Sequence, residues 1–189
     1  MAAIVPTDKP YMRTGVFETW KKRMPWLLLL MISATFTGRI ITAFEGALSA
    51  CVVLTAYIPM LMDTGGNAGG QSSVTIIRSI SLHDVEFPDL PKVIWKELRV
   101  GLLCGLTLSA ANFCKLLWFD RVSVSVAAVV CLTLLVTLVA AKFIGCVLPM
   151  LAKKVGFDPA VMASPFITTI VDAVSLVTYF QIATALLGL

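Results

Sequence analysis

Between Arg121 and Lys142 the chain runs without a charged residue, from Val122-Ser123-Val124 to Val139-Ala140-Ala141. That stretch matches the roughly 20 residues an α-helix needs to cross a bilayer core. A soluble fold could hold it only by wrapping the whole helix in other elements, and the polar material for such a wrapping is missing. Of 189 residues, 58% are hydrophobic and 14% charged, against about half and about a quarter in an ordinary soluble domain. A water-soluble enzyme domain and a disordered chain are both excluded. The sequence is that of an integral membrane protein, most of it inside the bilayer.

Five apolar segments organise the chain: 26–44 from Trp26 to Phe44, a second from Gly46 to about Ile80, then 93–118, 122–152 and 159–187. They predict an all-α membrane protein with five transmembrane helices per protomer, a single domain over 26–189. Ahead of them, residues 1–25 carry Lys9, Arg13, Lys21, Lys22 and Arg23. Met12, Val16 and Trp20 recur every four residues, with Phe17 alongside. This pattern predicts a short basic amphipathic helix lying on the membrane. A signal peptide is the competing reading, disfavoured because the apolar stretch continues past any cleavage site.

Orientation follows from the basic residues. With the N-terminus inside, the inner segments hold the N-terminal Lys and Arg residues, then Arg78, Lys92, Lys96 and Arg99, then Lys153 and Lys154. The outer side holds Lys115 and Arg121. The asymmetry predicts a cytoplasmic N-terminus and an outside C-terminus in a multi-pass protein of the inner or plasma membrane.

Other chemistries lack their residues. The net charge of +4 is spread beside apolar segments, so no basic face for nucleic acid is expected. The five cysteines (Cys51, Cys104, Cys114, Cys131, Cys146) all fall in apolar runs without CxxC spacing, and read as small buried hydrophobes. His83 is the only histidine, which argues against a His-based metal site or triad. No nucleotide-binding motif is present, so ATP-driven pumping by this chain alone is not expected.

The polar residues inside the apolar segments are the informative ones. In the second segment the apolar part, Gly46 to Met62, is about 25 Å long at helical rise, slightly short of a bilayer core. The span must be completed by Asp63-Thr64-Gly65-Gly66-Asn67-Ala68-Gly69-Gly70-Gln71-Ser72-Ser73. Polar groups at that depth line water or pack against protein. Asp63, Asn67 and Gln71 would share one helical face. Pro59 and the paired glycines weaken the helix and predict local opening, with exposed carbonyls as oxygen ligands. The fifth segment repeats the pattern, with Ser164, Thr168, Asp172 and Ser175 on one face and Pro165 near its start.

Asp172 lies between Ile170-Val171 and Ala173-Val174. An ionised carboxylate there costs several kcal/mol uncompensated and marks a functional site by default. Carboxylate, hydroxyl, amide and carbonyl donors are hard, and suit Mg²⁺ or Ca²⁺ better than zinc or copper. The structural alternative pairs Asp172 with Lys142 or Arg39 to fix helix packing. A second alternative has Gly65, Gly66, Gly69 and Gly70 merely letting helices approach.

Other polar residues read more simply. Arg39 would snorkel or pair with Glu45. Lys142 would face the pore or pair within the bundle, and Asn112 and Lys115 would be interfacial. His83, Asp84, Glu86 and Asp89 form a solvated loop able to concentrate cations. Asp158 would cap a helix begun by Pro159, with a secondary chance of touching a cation.

Pro59-Met60-Leu61-Met62-Asp63-Thr64-Gly65-Gly66-Asn67-Ala68-Gly69-Gly70-Gln71-Ser72-Ser73 with Ile77-Arg78 closely resembles the signature of the MgtE magnesium transporters. So do Lys96-Glu97, Val100-Gly101, Leu148-Pro149, Gly156-Phe157-Asp158-Pro159-Ala160 and Ser164-Pro165-Phe166-Ile167-Thr168-Thr169-Ile170-Val171-Asp172. The resemblance runs in order from about Trp26 to the end. It implies a homodimer of five-helix protomers with a central pore lined by the second and fifth helices of both subunits. It implies that Asp172 of each subunit holds a largely hydrated Mg²⁺, helped by carbonyls of Gly65, Gly66 and Thr168. Glycine stands before Gln71 where some members carry asparagine. The acidic N-terminal domain, paired cystathionine-β-synthase-type domains and connecting helix usual in the family have no counterpart here. The chain is then either naturally short or a piece of a longer one, and gating by those domains is not assumed.

The expected function is passive movement of hydrated Mg²⁺ down its electrochemical gradient, with Mn²⁺, Co²⁺ and Ca²⁺ as further candidate ions. The expected metal-site residues are Asp172, Thr168, Gly65, Gly66, Asn67, Asp63, Ser164 and Asp158. Alternatives are a proton- or sodium-coupled divalent-cation exporter and a non-transporting membrane scaffold.

Overall fold

The computed structural model describes residues 11–159 and 165–188. Every regular element among them is helical: α1 (Val16–Ala43), α2 (Glu45–Ala50), α3 (Ile58–Ser81), α4 (Leu90–Trp118), α5 (Val124–Lys154) and α6 (Pro165–Leu187). Short 3-10 turns lie at Tyr11–Arg13, Val52–Tyr57 and Phe87–Asp89. Four of the described helices are long and apolar enough to cross a membrane, at Val16–Ala43, Phe87–Trp118, Val124–Lys154 and Phe166–Leu187. Helix α3 has the length, with 24 residues rising about 36 Å. Its glycines, hydroxyls and amides withhold the apolarity.

Helix α5 is apolar all round, as a central helix must be. Ser123 caps its start by accepting from the Val126 N–H at 3.3 Å. It packs against α3, α4 and α6, and Ala127, Val129, Val130 and Ala141 are wholly buried. Lipid tails are as apolar as these side chains, so cohesion here comes from close packing and interhelical hydrogen bonds. A methyl group added at Gly145 of α5 would collide with the Gly69 carbonyl oxygen of α3. The two helices therefore meet backbone to backbone. Helix α1 is peripheral: none of its 28 residues is buried. It rests on α6, where the Phe44 ring that follows it stacks on Phe180 at 4.7 Å.

The second apolar segment departs from expectation. It breaks at Cys51, between α2 and the 3-10 turn, and not at Pro59 or the glycines. Tyr179 donates to the Leu54 carbonyl at 2.9 Å and Tyr57 to Asp120 at 3.3 Å, tying the turn to α6 and to the α4–α5 loop. Pro59 falls in the first turn of α3, where its missing N–H costs nothing. The glycine-rich stretch is continuous α-helix, so the carbonyls of Gly65 and Gly66 lie within a helix and not in the opened turn that weak helix propensity suggested. Packing overrides propensity there: α5 and α6 press directly on Gly65 and Gly69.

The first boundary moves by ten residues, whereas those of the third and fourth segments move little. Helix α1 begins at Val16 and continues through Pro25 into the first apolar segment. The predicted helix start at Pro159-Ala160 lies partly, and the expected site residue Ser164 wholly, outside the described residues, and α6 is described from Pro165.

Candidate ion-binding groove

Helix α3 has two chemically distinct sides. Leu61, Gly65, Ala68, Gly69, Ser72, Ser73, Ile76 and Ile80 are buried against the bundle. Asp63, Asn67, Gln71, Val74, Thr75 and Arg78 are exposed. The predicted alignment of Asp63, Asn67 and Gln71 on one face is thus present, on the face turned away from the rest of the chain.

Helix α6 reaches the edge of that face through Thr168 and Asp172, both half-buried. They meet α3 at Gly66, whose missing side chain makes the approach possible. A Cβ built there would stand 3.0 Å from Thr168 Cγ2 and 3.9 Å from Asp172 Oδ1. From this junction an open groove of about 510 Å³ runs along α3, lined by Gly66, Asn67, Gly70, Gln71, Val74, Thr75 and Thr168. Asp63 lies within electrostatic reach of Asp172.

Two residues expected on the α6 face or at the site lie elsewhere. Ser175 is buried and donates to the Val171 carbonyl at 2.7 Å. Ser175 stands about 60° from Asp172 but only about 20° from Thr168 around the helix, on the Val171 side of it, where it packs beside Gly65. Asp158 is exposed in the segment after α5 and does not line the groove. Gly65 is close by but faces inward, against Thr137, Val171 and Ser175. Ser164 lies outside the described residues.

Among the described residues no ion pair joins Asp172 to Lys142 or Arg39. Lys142 is buried in α5, and its Nζ donates to Gln71 Oε1 at 3.4 Å, while Arg39 is exposed on α1. Two polar links escaped the sequence reading. Ser72 of α3 donates to Glu97 of α4 at 2.5 Å, and Lys115 donates to Asp120 at 2.7 Å. That ammonium holds the Asp120 carboxyl below the usual carboxylate range, with a smaller contribution from Tyr57. The signal for Glu97 was its position as a carboxylate inside an apolar segment.

Among the described residues no three His, Cys, Asp or Glu side chains gather as a metal cluster. Sparse oxygen donors along an open groove cannot enclose a stripped ion. They suit a cation that keeps much of its water, because hydration water donates hydrogen bonds outward to carboxylate, hydroxyl and amide oxygens.

Helices long and apolar enough to span a bilayer, packed around one helix with a polar, oxygen-bearing face, define the class: an all-helical membrane protein. Residues 58–182 match the MgtE family, described as a divalent cation transporter. The chain belongs to that family, one of transporters and not of enzymes. It is 35% identical over 187 residues to the magnesium transporter MgtE of Thermus thermophilus, covering 99% of this chain and 41% of that relative. To the magnesium transporter MgtE of Bacillus subtilis it is 33% identical, covering 91% of this chain and 38% of the relative. To that of Enterococcus faecalis it is 32% identical, over 86% of this chain and 36% of the relative. The chain spans about two fifths of the length of these curated relatives.

Proposed function

We propose that this chain forms the ion-conducting part of a Mg²⁺ transporter of the cell membrane. In this reading two copies pair across the exposed faces of α3 and α6, and hydrated Mg²⁺ passes between them down its electrochemical gradient. Each copy crosses the membrane five times, α3 being the polar crossing, with the N-terminus inside and the C-terminus outside. Arg13, Lys21, Lys22 and Arg23 lie at the inner interface. Asp172 is the principal ion contact, with Thr168, Asn67 and Asp63 receiving hydration water. The membrane potential supplies about 2.3 kcal/mol per charge per 100 mV, doubled for a divalent ion.

One observation carries this reading: the stripe Asp63, Asn67 and Gln71 is exposed on a helix long enough to span the bilayer and adjoins an Asp172 that has no cationic partner among the described residues. Lipid cannot accept such a stripe, since polar groups at membrane depth must face protein or water. A second copy with water between the two satisfies both. The magnesium transporters named above supply the identity of the ion.

The test is Mg²⁺ flux into proteoliposomes under an inside-negative potential, comparing the native chain with Asp172→Asn. Flux that follows the voltage, ignores proton and sodium gradients and disappears in the variant is the expected result. Flux that requires a proton or sodium gradient would replace the passive pore with a coupled carrier. Absence of flux from assembled native protein, with Asp172→Asn impairing assembly, would make the chain a scaffold.

A further inference from the structure

Lys142 is the only buried charged side chain among the described residues, with 6% of its surface exposed. It sits in α5, behind the wall of the groove. No carboxylate lies within ion-pair distance of it among the described residues. Its Nζ instead donates to Gln71 Oε1 at 3.4 Å. A cation kept at membrane depth without a counter-charge is expensive, and such residues mark functional machinery.

The chemistry of the pair fixes the orientation of Gln71. An ammonium has three donors and no acceptor, so the amide oxygen must turn toward Lys142 and the NH₂ group is left over. Gln71 is also an exposed residue of the groove lining. The hydration shell of a cation presents hydrogens outward, and an NH₂ group has none of the lone pairs those hydrogens need. One helical turn from Asn67 the groove therefore offers a donor, backed by a positive charge, where it otherwise offers oxygen. Conduction requires sites weak enough for an ion to leave.

We propose that Lys142 is a positioning residue for the ion path: by engaging the Gln71 oxygen it keeps the groove beyond Asn67 from becoming a second cation site, so that the ion is released past Gln71. This rests on the groove being an ion path. Lys142 touches no ion itself and acts through Gln71.

The test measures the Mg²⁺ concentration for half-maximal flux into proteoliposomes for the native chain, Lys142→Met, Gln71→Ala and the double variant. Freeing the amide oxygen and removing the charge in Lys142→Met lowers half-saturation about tenfold, and lowers maximal flux as release slows. In the Gln71→Ala background the same substitution shifts it about twofold, the effect of charge alone. Gln71→Ala by itself, which removes the groove-side NH₂ together with an oxygen already engaged by Lys142, does not raise half-saturation. Equal shifts in the two backgrounds, or an unchanged half-saturation in Lys142→Met, overturn the proposal. So does a clear rise in half-saturation in Gln71→Ala, a measurement on an exposed residue that decides the matter even where Lys142→Met fails to assemble. Native flux that Asp172→Asn abolishes, together with any of those results, sinks this inference and spares the function above. Assembled native protein without Mg²⁺ flux sinks both.

Discussion

Gly145→Ala probes the contact on which the bundle turns. A Cβ at Gly145 would drive into the Gly69 carbonyl oxygen and stand 3.0 Å from Ser72 Cβ. These are backbone and near-backbone atoms of another helix, so no rotamer change relieves the clash and α3 must shift away from α5. Overpacking of this kind costs roughly 1–3 kcal/mol. Against it stands the helix-propensity advantage of alanine over glycine, roughly 1 kcal/mol. Gly70→Ala on α3 is the matched control, because a Cβ there meets nothing within 4 Å and only the propensity gain remains. The difference between the variants isolates the packing cost at about 2 kcal/mol. At roughly 2–4 °C per kcal/mol for a chain of this size, Gly145→Ala should melt about 6 °C below Gly70→Ala. The assay is the thermal unfolding midpoint of both purified variants in one detergent, followed by near-ultraviolet circular dichroism. Coincident midpoints would refute the backbone-to-backbone contact.

Two further outcomes follow from particular contacts. Gly66→Ala presses on Thr168 Cγ2 at 3.0 Å and should reduce Mg²⁺ flux severalfold, while adding Thr168→Ser, which removes that methyl and keeps the hydroxyl, should restore most of it. Flux equal in the single and double variants would show that the methyl is not the obstacle. Asp120 titrates below its ordinary value because of the Lys115 ammonium, so its contribution to stability is fully present above the unfolded value of about 4 and is lost as pH falls through the depressed folded value. Unfolding midpoints of native protein and Asp120→Asn measured down through that range should converge at the acid end, and a constant gap between them would contradict the assignment.

The spanning helices were legible because bilayer crossing imposes a length and a composition on a continuous stretch. The stripe of Asp63, Asn67 and Gln71 was legible because helical periodicity is local. What escaped depends on distant partners. The break at Cys51 carries no glycine or proline, and is set by Tyr179 bonding Leu54 across 125 positions of sequence. Lys142 and Gln71 lie 71 positions apart, and Ser72 and Glu97 lie 25 apart. Composition cannot choose among the many donors and acceptors such separations allow. The glycine pairs misled for a related reason: their weak propensity is a property of an isolated helix, whereas α5 and α6 confine this one. Ser175 was misplaced because it stands at the border of groove and core on α6, about 20° around the helix from Thr168 and on its Val171 side, where packing and not periodicity decides.

The shortage of apolar residues in α3 has a consequence for how the protein is made. Four described helices are apolar enough to enter a bilayer by partition alone, and α3 is not among them. It is synthesised second among the long helices, well before α5 and α6, the two against which it packs most closely with its glycines. In the five-crossing arrangement proposed above, a nascent chain cannot leave α3 facing lipid in the interval. The helix must be held at the site of insertion, or shielded there, until α5 arrives to cover its small-residue side. In that arrangement membrane entry of α3 is an act of assembly, and disruption of the α5 surface around Gly145 should be felt first as failed integration of a helix made some sixty residues earlier.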